Sequence, residues 1–314
     1  MFHAIQHITR YRYSEPIAES QMEVRMEPRS ELNQRCWEFE LLTTPKARVH
    51  HYRDSIGNTV HHFDVPGRHT RLTITAQSLV EVDPPDALPE ALGPDAWGEI
   101  DAAAAEGDHW EMLAPSKFVV ISPLLETLAA ELELDRRVDP LTALRGINRA
   151  MQSTFAYAPK STRVDTPIDD VLRSRRGVCQ DFSHIMIALV RRMGIPCRYV
   201  SGYLFHGSDD RARSSDDATH AWVEAYLPEL GWVGFDPTND MIAFDRHIRV
   251  AVGRDYADVP PTRGVFRGSA DSELSVSVQV VPAEAPILEE PAATSWIHVD
   301  NDDASGLVEQ QQQQ

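Results

Sequence analysis

Three residues that together can form a covalent acyl intermediate follow one another in the second half of the chain: Cys179, His220 and Asp236. Cys179 comes shortly after Gly177, and from Phe182 onward apolar residues recur at helical spacing, which predicts a helix with Cys179 in its first turn. Unpaired N–H groups and the positive end of the helix dipole favour an anion there, and the thiolate is the nucleophilic form of cysteine. On this segment alone, a buried cysteine acting as a small hydrophobic residue is an equal alternative.

Two later segments supply partners for a thiol. Residues 218–227 alternate as a strand does, and one face of it collects four polar or aromatic residues: His220, Trp222, Glu224 and Tyr226. A hairpin-length turn leads to a second strand that ends at Asp236 and a proline. If the strands pair, the imidazole can take the thiol proton and the carboxylate can fix its tautomer. An ordinary strand histidine and a turn-forming aspartate are the alternatives. The order of all three residues on suitable elements favours a catalytic triad.

These segments resemble a known family. "RRGVCQDFSHIMIALVRRMGIPCRYVSGY" and "THAWVEAYLPELGWVGFDPTND" are similar to the core of transglutaminase-like proteins, a papain-related Cys-His-Asp fold that includes transglutaminases and bacterial cysteine proteases. "FHAIQHITRYRYSEPIAES", "RVHHYRDSIGNTVHHF" and "VAVGRDYADVPPTRGVFRG" resemble the bacterial group with a β-rich N-terminal domain. The resemblance spans most of residues 1–281 and assigns the triad roles to Cys179, His220 and Asp236. It also places Tyr157 beside the nucleophile, where its hydroxyl could donate to an oxyanion; a core tyrosine is at least as good an interpretation.

The resemblance and the predicted helices and strands indicate an α+β fold. A chain of 314 residues has room for about two domains. Short strands with turn signals over residues 1–83 predict a β-sandwich-like N-terminal domain. Residues 84–117 are rich in proline, alanine and acidic residues and predict a linker. Residues 118–282 form the predicted papain-like core, with a helical part and an antiparallel sheet, and residues 283–314 have the composition of a disordered tail.

Finer predictions follow from local patterns. Helices are expected over residues 122–134 and 141–155, and Trp97 and Trp110 are expected to anchor the linker. Strands over residues 246–252 and 274–281 are expected to complete the core sheet.

A hairpin is expected over residues 48–65, and it carries two pairs of adjacent histidines: His50-His51 and His61-His62. Adjacent strand residues point to opposite faces, so each pair offers at most one ligand per side, and half-exposed histidines are favoured over a metal site.

Composition excludes several classes of partner. The net charge of −18 argues against nucleic acid and against an anionic membrane, because both require a basic patch. No window approaches the roughly 18 consecutive apolar residues of a membrane helix, and the first residues have neither the basic nor the apolar region of a secretory signal. Three cysteines are too few for a disulfide framework, so a cytoplasmic location is expected.

The chemistry predicted is that of a cysteine enzyme acting on a peptide or another amide or isopeptide substrate through an acyl-thioester, with no metal or organic cofactor. Trp222 and Trp232 could wall a channel that screens the thioester from water, as amine transfer requires. The polar loop at residues 206–217 leads directly to His220 and would admit water, so hydrolysis is favoured over transamidation. The same residues would also suit an acyltransferase or a catalytically inactive peptide-binding module. The polar loop at residues 206–217 is rich in aspartate, but it lacks an EF-hand pattern, so calcium is not expected.

Overall fold

Two long strands organise the N-terminal part of the computed structural model, which describes residues 1–107, 109–206 and 219–285. Residues 1–284 form one compact unit. The strands are β1 Phe2–Val24, β2 Gln34–Thr44, β3 His50–Arg53, β4 Thr59–Val82, β5 Ala156–Tyr157, β6 Arg176–Gly177, β7 Cys197–Leu204, β8 His220–Leu227, β9 Gly231–Asp236, β10 Met241–Ile242, β11 His247–Gly253, β12 Thr262–Arg267 and β13 Ser272–Ala283. The helices are α1 Ala96–Glu106, α2 Pro123–Glu131, α3 Pro140–Thr154, α4 Ile168–Ser174 and α5 Cys179–Arg192.

The first sheet has six strands and is centred on the antiparallel pair β1 and β4. Along most of β1, alternate side chains are buried, which is the pattern expected of strands with one face on a core. The pairing of β1 with β4 shifts register between Arg12 and Glu19, where both strands are irregular. β1 and β4 are therefore each one long strand with an irregular middle, where sequence patterns alone suggest two shorter strands. The predicted hairpin at residues 48–65 is confirmed, because β3 pairs with the start of β4.

The C-terminal strands do not share one sheet, contrary to the sequence prediction. β11 joins the core sheet beside β7, as expected. β13 instead pairs with β1 along Phe2 to Tyr13, and β12 pairs with β1 from Glu19 to Val24. The prediction that residues 274–281 complete the core sheet is wrong, because the alternation of a strand indicates a half-buried face and does not identify the neighbouring strand. The proposed domain limits stay a prediction.

The core sheet is antiparallel, in the order β10-β9-β8-β7-β11, and the long helix α5 packs on it. The apolar stripe of α5 is fully buried, which includes Phe182, Ile185, Met186, Leu189 and Val190. The two helices predicted before it are confirmed as α2 and α3, and the backbone N–H groups of Leu141 and Thr142 donate to the carboxylate of Asp139 at the start of α3. No helix in the described ranges is long and apolar enough to cross a membrane.

The predicted linker carries a helix of its own. Ile100 of α1 is fully buried in the same apolar core as α5. Trp97 donates from Nε1 to the carbonyl of Val138 at 2.8 Å, and the Arg136 guanidinium lies 4.5 Å from its ring centroid. Trp97 therefore anchors this segment as predicted. Trp110 is 64% exposed, so the same prediction is wrong for Trp110.

Two side-chain amides from the N-terminal part of the chain, one in β2 and one just before β4, cover the outer edge of β11. Gln34 donates to the Arg249 carbonyl at 2.8 Å and accepts from the Arg249 N–H at 2.7 Å. Asn58 makes the same pair of bonds with Val252, both at 2.8 Å, and is fully buried. These bonds occupy the positions that a further strand would take, because a primary amide offers the same donor and acceptor as a peptide group.

We predict that Asn58→Ala destabilises the protein by about 3 kcal/mol, because it leaves the buried N–H and C=O of Val252 unpaired at about 1–3 kcal/mol each. Urea unfolding would measure the change. The control is Gln77→Ala, at an exposed position of β4, which we expect to stay within about 0.5 kcal/mol of the wild type. Equal stability of the two variants would mean that Asn58 does not hold β11.

Candidate functional site

Cys179 is the first residue of α5, as the sequence predicts. The backbone N–H of Val178 donates to Asp181 Oδ2 at 2.8 Å, and the Thr162 hydroxyl donates to the same oxygen at 2.7 Å. A Cβ on Gly177 would lie 2.8 Å from Asp181 Oδ2, so only glycine fits beside this cap. Cap and glycine together place the half-buried thiol at the exposed N–H groups of the helix.

Tyr157 lies next to the segment that carries the thiol. It belongs to β5, which pairs with β6, so Tyr157 stands opposite Gly177. The ring is half-buried and meets Phe182 of α5 edge to face at 6.4 Å. The position agrees with the one that the family resemblance implies, and a role for the hydroxyl in an oxyanion site stays a prediction.

His220 and Asp236 meet across the predicted hairpin. His220 begins β8 and Asp236 ends the neighbouring strand β9, and His220 Nε2 lies 2.8 Å from Asp236 Oδ2. Both side chains are buried. Nδ1 of His220 is also buried and has no oxygen or nitrogen partner in the described parts of the chain, whereas Cys179 interacts with this ring and contributes to the raised pKa of His220. With Nε2 bound to the carboxylate, Nδ1 is the ring nitrogen available to a thiol.

The electrostatics of this pair favour charges on both partners. Burial acts to lower the pKa of His220, but Asp236, followed by Cys179, outweighs burial and raises that pKa to about 10. Burial acts to raise the pKa of Asp236, but His220 and His247 hold it well below its usual range. At neutral pH an imidazolium therefore faces a carboxylate.

Sequence reasoning missed the other groups that hold Asp236. Oδ1 accepts from the backbone N–H of Thr238 at 3.0 Å and of Asn239 at 3.2 Å. Oδ2 accepts from Asn239 Nδ2 at 2.8 Å and lies 3.2 Å from His247 Nε2. An aspartate followed by proline predicts the turn and with it the backbone bonds. No local sequence pattern links His247 to this carboxylate, since His247 lies on β11, which β8 and β7 separate from β9.

The two tryptophans expected near the substrate lie elsewhere. Trp222 has no exposed surface and packs against the rings of His220 and His247, with centroids 6.1 and 5.1 Å apart. It stands behind the imidazoles, so the expectation that it borders the substrate fails because a substrate cannot reach it. Trp232 is at the opposite end of the hairpin, where it contacts Tyr226 and His109. Neither indole walls a channel to Cys179.

The other two cysteines lie in environments that disfavour a thiolate. Burial, with a smaller effect from Glu27, raises the pKa of Cys36 to about 12. Burial raises the pKa of Cys197 to about 11, even though Arg191 acts in the opposite direction. Both thiols are free. Their environments contrast with that of Cys179, which faces an imidazolium.

Among the described residues, one group of side chains has the donor set and spacing of a metal site: His220, Asp236 and His247, whose ligand atoms lie within 4.8 Å of one another. A metal requires imidazoles without a proton on the ligating nitrogen. Here both Nε2 atoms point at an oxygen that accepts hydrogen bonds, and the pKa of His220 is raised to about 10. Protons on the two Nε2 atoms, shared with Asp236 Oδ2 in hydrogen bonds, therefore account for this arrangement better than a metal ion does.

The four histidines of the β3–β4 hairpin face each other across the strands, His50 opposite His62 and His51 opposite His61. His61 is buried, with Nε2 3.4 Å from Glu27, so the expectation of half-exposed histidines is wrong for that residue. The loop expected to admit water falls largely on residues 207–218, which lie outside the described residues.

Comparisons with known proteins relate both parts of the chain to one family. Residues 128–237 match the transglutaminase-like superfamily core, and residues 3–81 match the bacterial transglutaminase-like N-terminal region. The core match includes Cys179, His220 and Asp236. A solved structure from Cytophaga hutchinsonii, provisionally described as a cysteine protease, superposes with a TM-score of 0.70 over 91% of this chain and 92% of that chain, at 22% identity. That likeness concerns the fold.

Two relatives extend the comparison to sequence. An uncharacterized protein of Mycobacterium tuberculosis is 37% identical over 299 residues, which cover 90% of this chain and 94% of the relative. A protein-glutamine gamma-glutamyltransferase of Pseudomonas aeruginosa is 30% identical over 122 residues, 37% of this chain and 18% of that protein. By these matches and by its fold, the chain belongs to the transglutaminase-like superfamily, in the group with a bacterial transglutaminase-like N-terminal region.

Proposed function

We propose that the protein is a cysteine-dependent enzyme that cleaves an amide, peptide or isopeptide bond through an acyl-thioester on Cys179. The observation that carries this proposal is the buried pair of His220 and Asp236, 2.8 Å apart, whose free imidazole nitrogen is the one available to the thiol. A structural histidine would not need a buried carboxylate that keeps it charged, since desolvation alone leaves a buried histidine neutral. Charge at this position suits a group that exchanges protons with a thiol.

The proposed steps follow from the positions of the groups. The Cys179 thiolate attacks the substrate carbonyl, and the backbone N–H of Cys179 at the start of α5 stabilises the oxyanion, with the Tyr157 hydroxyl as a second candidate donor. His220 then gives its Nδ1 proton to the leaving amine, which leaves the acyl group on sulfur. In the second half, neutral His220 takes a proton from the acceptor as it attacks the thioester. Asp236 keeps the ring oriented throughout.

Hydrolysis is the favoured outcome of the second half. Transfer to an amine requires an acceptor channel that keeps water away from the thioester. Trp222 is enclosed behind the imidazoles and Trp232 lies at the far end of the hairpin, so neither supports such a channel. A transamidase is the second candidate, because part of the core is similar to a gamma-glutamyltransferase. An inactive peptide-binding module is the third, and the charged pair of His220 and Asp236 argues against it.

Iodoacetamide at neutral pH should label Cys179 much faster than the other two cysteines. With pKa values of about 12 and 11, Cys36 and Cys197 carry about one thiolate in 10⁵ and one in 10⁴ at pH 7. Brief labelling followed by peptide mass mapping measures the three rates. Labelling in urea is the control, where all three should react alike. Equal rates in the folded protein would contradict the role of Cys179 as nucleophile.

Substitutions in the triad should separate catalysis from folding. Cys179→Ala should abolish turnover and leave thermal unfolding unchanged, because it removes one half-buried sulfur. Asp236→Asn should lower kcat on the order of 10⁴-fold, as expected when an imidazole loses the group that sets its tautomer. Asp240→Asn, a half-buried carboxylate in the following turn, is the matched control and should keep full activity. Full activity of Asp236→Asn would reduce Asp236 to a turn residue, and unaltered function in every variant would favour the binding module.

Competition between water and an amine tests the direction of the second step. The enzyme is given a peptide with a γ-glutamyl amide, with and without a saturating primary amine, and products are separated by mass. We expect the carboxylate product to persist undiminished, because among the described residues neither Trp222 nor Trp232 forms a channel that screens the thioester. Cys179→Ala reports the uncatalysed background. Predominant formation of the amine adduct would make the protein a transamidase.

A further inference from the structure

One carboxylate oxygen of Asp236 contacts two histidines. Oδ2 lies 2.8 Å from His220 Nε2 and 3.2 Å from His247 Nε2, and it also accepts from Asn239 Nδ2 at 2.8 Å. The exposed fractions of the three ionisable side chains are between 0 and 3%. An ionised carboxylate only accepts hydrogen bonds, so both imidazoles must carry a proton on Nε2. This bonding fixes one proton on the Nε2 atom of each ring.

Only one of the two rings carries a positive charge. Burial lowers the pKa of His247, and the nearby His220 and Arg246 add to that effect, whereas Asp236 opposes it. His247 is therefore neutral, with its single ring proton on Nε2, while His220 is an imidazolium. Other titratable groups described around the two rings are Cys179 and Arg246. Nδ1 of His247 is buried and lacks a hydrogen-bond partner within the described ranges.

The fold is shaped to bring the second histidine to this oxygen. His247 begins β11, which β7 and β8 separate from β9. A Cβ on Gly202 of β7 would lie 2.2 Å from the Ile248 carbonyl and 2.6 Å from the Trp222 ring, so glycine lets β11 and the indole approach. Trp222 then lies stacked on the ring of His220 and perpendicular to that of His247. A histidine that only filled space would not need its Nε2 directed at the same oxygen.

We propose that His247 is a positioning residue of the triad, which donates to Asp236 Oδ2 as a neutral imidazole and thereby limits how tightly Asp236 holds the proton of His220. Each further donor to a carboxylate oxygen disperses its negative charge, so the bond to the other donors weakens. A His220 proton held less tightly is delivered more readily to a leaving amine. This role rests on the proposed function, but the hydrogen bond itself can be observed without any substrate.

The experiment is proton NMR of the full-length protein with isotope-labelled histidine. Ring protons in charge-assisted hydrogen bonds resonate far downfield, so the wild type should show two such signals on Nε2 atoms, one from each histidine. The nitrogen shifts of His247 at pH 7 should be those of the neutral Nε2–H tautomer. A charged His247 at pH 7, or the opposite tautomer, would overturn the proposal on the wild type alone.

Two variants test the effect on His220. His247→Phe keeps a ring against Trp222 but removes the donor, so one downfield signal should vanish and the His220 signal should move further downfield as the remaining bond strengthens. His247→Gln restores an N–H donor of similar reach and should return the His220 signal to near its wild-type position. His7→Phe, a buried histidine that bonds Tyr203 instead, is the matched control and should leave both signals unchanged. An unmoved His220 signal in folded His247→Phe would contradict the proposal.

Turnover gives a second readout once a substrate is found. His247→Phe should lower kcat about tenfold with KM unchanged, because proton delivery and not binding is affected. His247→Gln should recover most of that loss. If the NMR shifts occur but no amide is cleaved by the wild type, the proposed function fails while the role of His247 toward His220 stands. If turnover is found and the shifts are absent, the role of His247 fails while the proposed function stands.

Discussion

The negative charge of Asp236, buried without any exposed surface, is the constraint on which the site depends. An isolated buried charge costs on the order of several kcal/mol after relaxation, so it persists only where hydrogen bonds and an opposite charge compensate it. Here the turn after β9 supplies two backbone donors, Asn239 a third, and the imidazoles of His220 and His247 the rest. Loss of that charge would leave the His220 imidazolium buried without a counter-ion. The charged pair of His220 and Asp236 therefore depends on groups from three strands, β8, β9 and β11.

Local patterns in the sequence were sufficient to predict the elements that carry Cys179, His220 and Asp236. The helical spacing after Phe182 and the glycine before Cys179 predicted where α5 begins, and the alternation around His220 with the turn before Trp232 predicted the β8–β9 hairpin. In each case the periodic pattern spans about ten residues and marks one buried face, so local propensity and packing favour the same element. The family resemblance then related α5 to the hairpin, which no local pattern could do.

What the sequence could not predict depends on contacts between distant strands. The alternating serines and valines of β13 would suit either sheet, and its choice of β1 is decided by a neighbour some 260–280 residues earlier in the chain. His247 looked like any residue at the start of a strand, because its bond to Asp236 requires the sheet order and the missing side chain at Gly202. Trp222 was placed on the correct face, but alternation describes direction and not depth, so its complete burial was missed.

The N-terminal strands have a physical connection to the site through β11. Gln34 and Asn58 satisfy the outer edge of β11, and Arg249 of the same strand shares the fully buried carboxylate of Glu224 with Arg198. Because Glu224 lies on β8 with His220, and His247 begins β11, the strands that carry both imidazoles are tied to each other and to the N-terminal sheet by buried polar bonds. Such bonds are costly to break singly, since each break leaves an unpaired group in the interior. The N-terminal region therefore helps to fix β11, the strand that brings His247 to Asp236.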